Sequence, residues 1–208
     1  MIIAEDHPFF FLEPLFAREE AVFHFSRYIY TPDSVFDERE PLDVLGSELS
    51  VDWLEKQFEM LRPDQELAIH SNVVIDGRTV HIPMMDFATD HIGPRQLYRL
   101  QTFIPPRIFA NFAFYHSGRS FHAYSTHLLS PKDWYMFLGR ALLINPRDDG
   151  HIIDTRWVGH RLIAGYCSLR LSNNSQQYKG MPKKVSIRVF TENNPVALPD
   201  PRDEIRAP

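Results

Sequence analysis

The sequence predicts an α+β domain, a mostly antiparallel sheet with helices packed against it. The predicted elements run strand–strand–helix–strand–strand–helix–strand, which is not the strict alternation of a parallel α/β fold. Hydrophobic residues make up 44% of the 208 residues and include 16 Phe, so the chain is not mainly disordered and is long enough to bury a core. We predict one domain over residues 1–192 and a proline-rich tail over 193–208.

The first half of the chain predicts a helical unit followed by a hairpin. Residues 1–30 predict a strand and a helix, and the acidic, turn-rich residues 31–49 predict a connecting loop. Ser50 is expected to cap a helix that Pro63 ends. Two β-rich runs over 67–87 flank an Asp-Gly turn and predict an antiparallel hairpin. The period of two places Asp86 on an otherwise apolar face of its second strand.

The second half predicts two helices among four strands. A Gly-Pro start and helical spacing predict a helix over 93–104, and a run that is apolar on both faces predicts a central strand over 109–115. A strand is then expected over 120–128, and Ser130 is expected to cap the next helix. Short strands are expected at 152–154 and 167–172.

Composition limits the classes of function. The 22 basic and 27 acidic residues give a net charge of −5, so a nucleic acid would need a local basic patch. The single Cys167 excludes an internal disulfide and a cysteine zinc site, and it predicts a reducing, cytoplasmic setting. We expect neither a signal peptide nor a membrane partner, because the apolar N-terminus is interrupted by acids.

The hexapeptide from Ser117 to His122 is the most informative segment. Ser120 and His122 are two residues apart on a predicted strand, so both can face a phosphate from positions roughly 6.5–7 Å apart. Gly118 lets backbone amides approach a ligand, and Arg119 would supply bidentate charge. A tight turn beside a core histidine explains the same residues.

Two isolated acids, two arginines and a cluster of lysines complete the candidate site. Asp86 and Asp154 each follow an apolar run, and well-separated carboxylates suit a divalent metal that handles triphosphates, although lone acids also cap turns. Arg161 and Arg170 would contact the triphosphate or the template, or belong to a solvated face. A basic cluster consists of Lys179, Lys183 and Lys184, with Arg188 nearby. It would either track a nucleic-acid backbone or lie on a solvated loop.

These motifs resemble the archaeo-eukaryotic primase, or primase–polymerase, superfamily. Met85-Asp86-Phe87-Ala88 resembles its first, acidic motif, and the Ser117–His122 segment resembles its Ser-x-His motif closely. Ile153-Asp154 resembles the third motif, which is followed by Arg161-Leu162-Ile163 and Ser168-Leu169-Arg170. The likeness covers about residues 67–190.

The resemblance implies a sheet like that of an RNA-recognition motif plus an N-terminal α/β unit. Asp86 and Asp154 would hold Mg²⁺ or Mn²⁺, and the triphosphate of an NTP or dNTP would be bound by Arg119, Ser120, His122, Arg161 and Arg170. Asp86, His122 and Asp154 would be catalytic in joining nucleotides on a single-stranded DNA template. Partners would include a helicase or other replication, repair or defence proteins.

One departure from the family pattern opens a second hypothesis. The first motif normally has a second acid where this chain has Ala88, and Asp90 would replace it as a metal ligand only if the chain turns back. Without that acid, the domain would bind nucleotide or nucleic acid within a larger complex and polymerise weakly. A third hypothesis, a metal-dependent phosphohydrolase, needs more metal ligands than the sequence offers.

Overall fold

A computed structural model describes residues 3–31, 34, 38–147, 150–175 and 177–187. It confirms the α+β class, because helices pack on two sheets whose described strand pairs are all antiparallel. The predicted tail over 193–208 and Arg188 lie outside these residues, so the predicted domain boundary stays a prediction.

The strands form two sheets. In chain order they are β1 (Val22–Ile29), β2 (Glu38–Leu45), β3 (Gln65–Ile75), β4 (Arg78–His81), β5 (Met84–Asp86), β6 (Phe112–His116), β7 (Phe121–Ser125), β8 (Ser168–Arg170) and β9 (Lys183–Val185). The first sheet has the order β2-β1-β3-β4, with β8 also paired to β3, and the second has the order β5-β7-β6-β9.

Three of the six described helices begin where the sequence predicts, after Ser50, Gly93 and Ser130. The six helices are α1 (Pro8–Phe16), α2 (Val51–Glu59), α3 (Pro94–Phe103), α4 (Pro106–Phe109), α5 (Pro131–Leu143) and α6 (Thr155–Ala164). The hydroxyl of Ser50 accepts from the backbone N–H of Trp53 at 3.1 Å, as predicted, and that of Ser130 accepts from Asp133 at 3.2 Å. Such caps satisfy amides that would otherwise lack a partner at the start of a helix.

The short strand predicted at 152–154 is wrong. Only an isolated bridge at Ile153 forms there, because Asp154 already caps α6.

Two other predicted segments also differ from the structure. The loop predicted over 31–49 was wrong in its second half, because β2 pairs with β1 along its whole length. Strand β2 is an edge strand that begins with three charged residues and a proline and carries Leu42 and Val44 further along, and edge strands tolerate such charge and proline. The predicted strand from Phe109 begins only at Phe112, because the diproline segment continues into the short helix α4.

The second strand of the predicted hairpin is divided between the two sheets. Strand β4 ends at His81 and pairs with β3, whereas β5 begins at Met84 and pairs with β7. Pro83 lies at the division and has no N–H for a sheet ladder. This division takes the chain from one sheet to the other, so Asp86 lies at the junction of the two sheets.

The two faces of the second sheet have different roles. Phe112 lies on the face that packs against α5, where its ring centroid is 6.4 Å from that of Phe137. His122 and Tyr124 lie on the opposite face, two residues apart on β7 and with their rings 6.5 Å apart. Helix α5 therefore packs on one face of this sheet, and on the other face Tyr124 is fully buried whereas His122 reaches a cleft shared with the first sheet.

We predict that Ser71→Ala will lower the free energy of unfolding by about 1–3 kcal/mol. The fully buried Ser71 hydroxyl accepts from the backbone N–H of Cys167 at 2.8 Å and lies 3.1 Å from Nδ1 of His81, so its loss leaves buried polar groups without a partner. Urea denaturation measures the change. Ser47→Ala, at an exposed serine, serves as the control, and equal stability of the two variants would contradict the prediction.

Candidate active site

A cleft of about 680 Å³ opens between the two sheets, within the usual size range of small-molecule sites. It brings together most of the residues that the sequence singles out. Among its lining residues are Asp86, Ser117, Arg119, Ser120, His122, Asp154, Arg161 and Arg170. Residues from all three motifs thus meet in one place, as the sequence analysis expects.

Backbone pairing places both acids and the histidine in one row. Asp86 is the direct partner of His122 in the β5–β7 ladder. On the side of this segment away from β7, Phe87 pairs with Ile153, and the N–H of Asp154 donates to the carbonyl of Asp86 at 3.0 Å. Residues directly opposite each other in antiparallel pairs point to the same face, with Cβ atoms about 4.5–5.5 Å apart. The three side chains therefore share one face.

Burial and mutual repulsion set the protonation of this row. Burial, followed by the charge of Asp154, raises the pKa of Asp86 from 3.8 to about 8. Burial, assisted by the charge of Arg170, lowers the pKa of His122 to about 3. Nε2 of His122 lies 3.8 Å from Oδ1 of Asp86, a distance compatible with an ion pair. Because both groups are neutral at pH 7 and 3.8 Å is too long for a hydrogen bond, the contact is not a charged pair.

The turn from Ser117 to Ser120, the motif turn, is held in a fixed shape. The N–H of Ser117 donates to the carbonyl of Ser120 at 2.9 Å, and the guanidinium of Arg119 donates to the carbonyl of Gln177 at 3.1 Å. Gly118 has φ +107°, and a Cβ there would lie 3.1 Å from the backbone nitrogen of Gly180. The turn thus needs glycine for its backbone angle and for its close packing on the 177–180 loop.

Both predicted arginines line the cleft and are buried, but they are placed differently. Arg161 lies in the last turn of α6 and is 5% exposed. Arg170 donates to the carbonyls of Ser117, Ser172 and Gly180, and its guanidinium lies 3.9 Å from the ring centroid of Tyr178. These contacts hold the motif turn against the 177–180 loop. The hydrogen bonds of Arg170 therefore go to backbone carbonyls of the protein and not to a ligand.

Other predicted residues lie outside the cleft. Asp90 is exposed and lines a separate cleft beside the start of α3, so the chain does not turn back to bring it beside the acid pair. Lys179, Lys183 and Lys184 are exposed on β9 and the loop before it, at the edge of the second sheet. Nζ of Lys183 lies 3.3 Å from the carboxylate of Asp6, which partly offsets its charge.

One wall of the cleft, formed by the first sheet and α6, was not predicted from the sequence. Tyr28 and Tyr30 line the cleft from β1 and its end, and Trp157 and His160 line it from α6. The spacing of two between the tyrosines is a signal that they share a face, but only the fold shows that this face meets the motifs. Trp157 donates its indole N–H to the carbonyl of Ser168 at 3.0 Å, which connects α6 to β8.

The acid pair fits part of a divalent metal site. Within the described ranges no group of three or more His, Cys, Asp or Glu side chains could hold a metal ion. Mg²⁺ in nucleotide sites commonly takes one or two carboxylates, with phosphates and water as the other ligands. Asp86 and Asp154 meet that smaller requirement, and a cation between them would offset the repulsion that raises the pKa of Asp86.

The α+β fold, with the acid pair, the histidine and the Ser-Gly-Arg-Ser turn in one cleft, fits the primase resemblance of the sequence motifs. The family model described as AEP-like, archaeo-eukaryotic primase 1D-like, matches residues 45–183, and the chain belongs to this family. No curated protein and no solved structure matches the chain. Of the helices described, none has the length and apolar character needed to cross a membrane.

We predict that Asp86→Asn will flatten the dependence of stability on pH. Because the pKa of Asp86 is about 8 in the fold and near 3.8 when unfolded, the folded state keeps a proton between pH 4 and 8 that the unfolded state releases. Its contribution to stability therefore falls as pH rises through this window. Four buried histidines have pKa values lowered to about 3–4 and add stability as pH rises to 6.5, so the window that isolates Asp86 is pH 6.5–8. Chemical denaturation at several pH values in that window should show the decline in the wild type and in the exposed control Asp90→Asn. An equal decline in Asp86→Asn would contradict the assignment.

Proposed function

We propose that this protein is a template-dependent nucleotidyltransferase that joins NTPs or dNTPs on a single-stranded DNA template with Mg²⁺ or Mn²⁺. The observation that supports this most is the row of His122, Asp86 and Asp154 on one face of the cleft, beside the motif turn. Acid, donor and basic groups in one cleft are what phosphoryl chemistry needs.

The carboxylates of Asp86 and Asp154 would hold the metal. When bound, such a cation neutralises charge on the phosphates and orients them. The capping bond from Trp157 to Oδ1 of Asp154, at 3.0 Å, fixes that carboxylate at the start of α6. Asp86 is fixed by strand pairing on both sides. The two acids therefore need little reorganisation to act together.

The motif turn would bind the triphosphate. His122 is neutral at pH 7, and its buried Nδ1 has no hydrogen-bond partner within the part of the chain that the structure describes. A neutral imidazole donates one hydrogen bond, to a phosphate oxygen in this proposal. Ser120 adds a hydroxyl donor, and Arg119 and Arg161 add positive charge on the same cleft. Arg170 would act mainly as a positioning residue for the turn.

The reaction would be attack of a primer 3′-hydroxyl on the α-phosphorus of the nucleotide. The 3′-hydroxyl gives its proton to water and its oxygen bonds to the α-phosphorus. The bond from that phosphorus to the oxygen that bridges to the β-phosphate breaks, and pyrophosphate leaves. The protein contributes alignment of the reacting groups and stabilisation of the charge that develops on the phosphates. Asp86, His122 and Asp154 are the side chains that we place at the reacting end.

A second candidate is a primase-fold module that binds nucleotide or nucleic acid within a larger complex. Ala88 in place of the second motif acid favours it, as does the position of Asp90 in another cleft. With two carboxylates instead of three, the metal is held less firmly and polymerisation is weak. As part of the same proposal, the protein is cytoplasmic and works with replication, repair or defence proteins.

The exposed lysines would contact the nucleic-acid strand outside the cleft. Lys179 is in the loop that carries Tyr178, and Lys183 and Lys184 are on β9 at the edge of the same sheet as His122. A few lysines on an acidic protein would give weak binding with a shallow dependence on salt, because the dependence scales with the number of phosphate contacts. The phosphohydrolase hypothesis has less support, because no larger set of metal ligands surrounds the acid pair in the described residues.

We predict metal-dependent extension of a labelled primer on a single-stranded template, tested with NTPs and dNTPs. Asp154→Ala and His122→Ala should each lower the rate by about 10²-fold or more, because each removes a group that stabilises transition-state charge. The exposed Asp90→Asn is the matched control and should retain activity. Products that persist in Asp154→Ala would contradict the site, and nucleotide binding without any product would support the binding module.

A further inference from the structure

Part of the cleft is lined by tyrosines that belong to none of the motifs. Tyr28, Tyr30 and Tyr178 line it, and they come from β1, the end of β1 and the 177–180 loop. The hydroxyls of Tyr28 and Tyr178 lie 3.3 Å apart, which joins the two segments across the cleft. None of these tyrosines belongs to the motifs of the family, so their place in the cleft has no explanation in phosphate or metal chemistry.

Two of the three rings are covered by guanidinium groups. Arg39 lies 4.6 Å from the ring centroid of Tyr28, and Arg170 lies 3.9 Å from that of Tyr178. Tyr30 is different, because it is 41% exposed and its ring lies 6.0 Å from that of Tyr178 at an angle of 51°. Tyr30 and Tyr178 therefore form an open aromatic corner with one accessible ring.

Hydrogen bonds connect this corner directly to the motif turn. Arg119 donates to the carbonyl of Gln177, and the side-chain amide of Gln177 donates to the carbonyl of Tyr30 at 3.3 Å. Arg170 contacts both the carbonyl of Ser117 and the ring of Tyr178. The phosphate-binding groups and the aromatic corner are thus adjacent parts of one cleft, and the cleft has the volume of a nucleotide site.

We propose that the corner formed by Tyr30 and Tyr178 stacks the base of the incoming nucleotide, with Tyr30 as the accessible ring. The proposal rests on the proposed function, because it assumes that the triphosphate lies against the motif turn. Aromatic side chains stack any base, so this contact adds affinity without selecting a sequence. It makes Tyr30 a positioning residue that fixes the nucleoside end while Arg119, Ser120 and His122 fix the phosphate end.

Calorimetric titration with ATP and with inorganic tripolyphosphate, both with Mg²⁺, tests the proposal. Tyr30→Ala should weaken ATP binding about 10-fold, the scale of one base–aromatic stack, and leave tripolyphosphate binding unchanged. Tyr30→Phe should bind both ligands as the wild type does, because it keeps the ring. His122→Ala should weaken binding of both ligands, and near-ultraviolet circular dichroism verifies that each variant is folded.

Each of the other outcomes overturns a defined part of the account. Equal losses of ATP and tripolyphosphate in Tyr30→Ala, or no loss of either, would overturn the stacking proposal and leave the phosphate site intact. Loss of oligothymidylate binding with unchanged ATP binding would assign the corner to the template strand instead. A wild type that binds neither ATP nor tripolyphosphate would overturn the proposed function itself.

Discussion

The pairing of Phe87 with Ile153 is the contact on which the site depends. It is an isolated antiparallel bridge between two segments far apart in the chain, the residue that follows β5 and the residues just before α6. Two backbone hydrogen bonds flank it, from Asp154 to Asp86 at 3.0 Å and from Ala88 to Ile152 at 2.9 Å. Since this register sets which residues face each other, a shift by one position would move one acid to the other face.

The same register creates an electrostatic cost that a ligand can relieve. Burial, and after it the charge of the neighbouring Asp154, raises the pKa of Asp86, so Asp86 keeps a proton near neutral pH. Arg170 and Arg161 oppose this effect only in part. A cation with phosphate ligands would relieve the rest, and the neutral His122 beside the acids fits a site that awaits an anionic substrate. This interpretation links the fold, the charge distribution and the proposed activity.

Local signals in the sequence were sufficient for the caps, the Asp-Gly hairpin turn and the motif residues. Ser50 and Ser130 cap helices as predicted, because a cap depends on a few neighbouring residues. The edge strand β2 was missed because its charges resemble those of a loop. The change of sheet at Pro83 and the tyrosine wall were missed because they depend on contacts between distant segments. The exposed Asp90 lines another cleft, a placement that depends on tertiary structure and not on its spacing from Asp86.

A double-mutant cycle for Mn²⁺ binding in the presence of nucleotide tests the central claim most directly. If Asp86 and Asp154 hold one ion together, Asp86→Asn and Asp154→Asn should each weaken binding about as much as the double variant does. Such strong non-additivity is expected of groups that act as a unit. Losses that simply add, or Mn²⁺ binding that survives in both single variants, would contradict a shared ion at the junction of the two sheets.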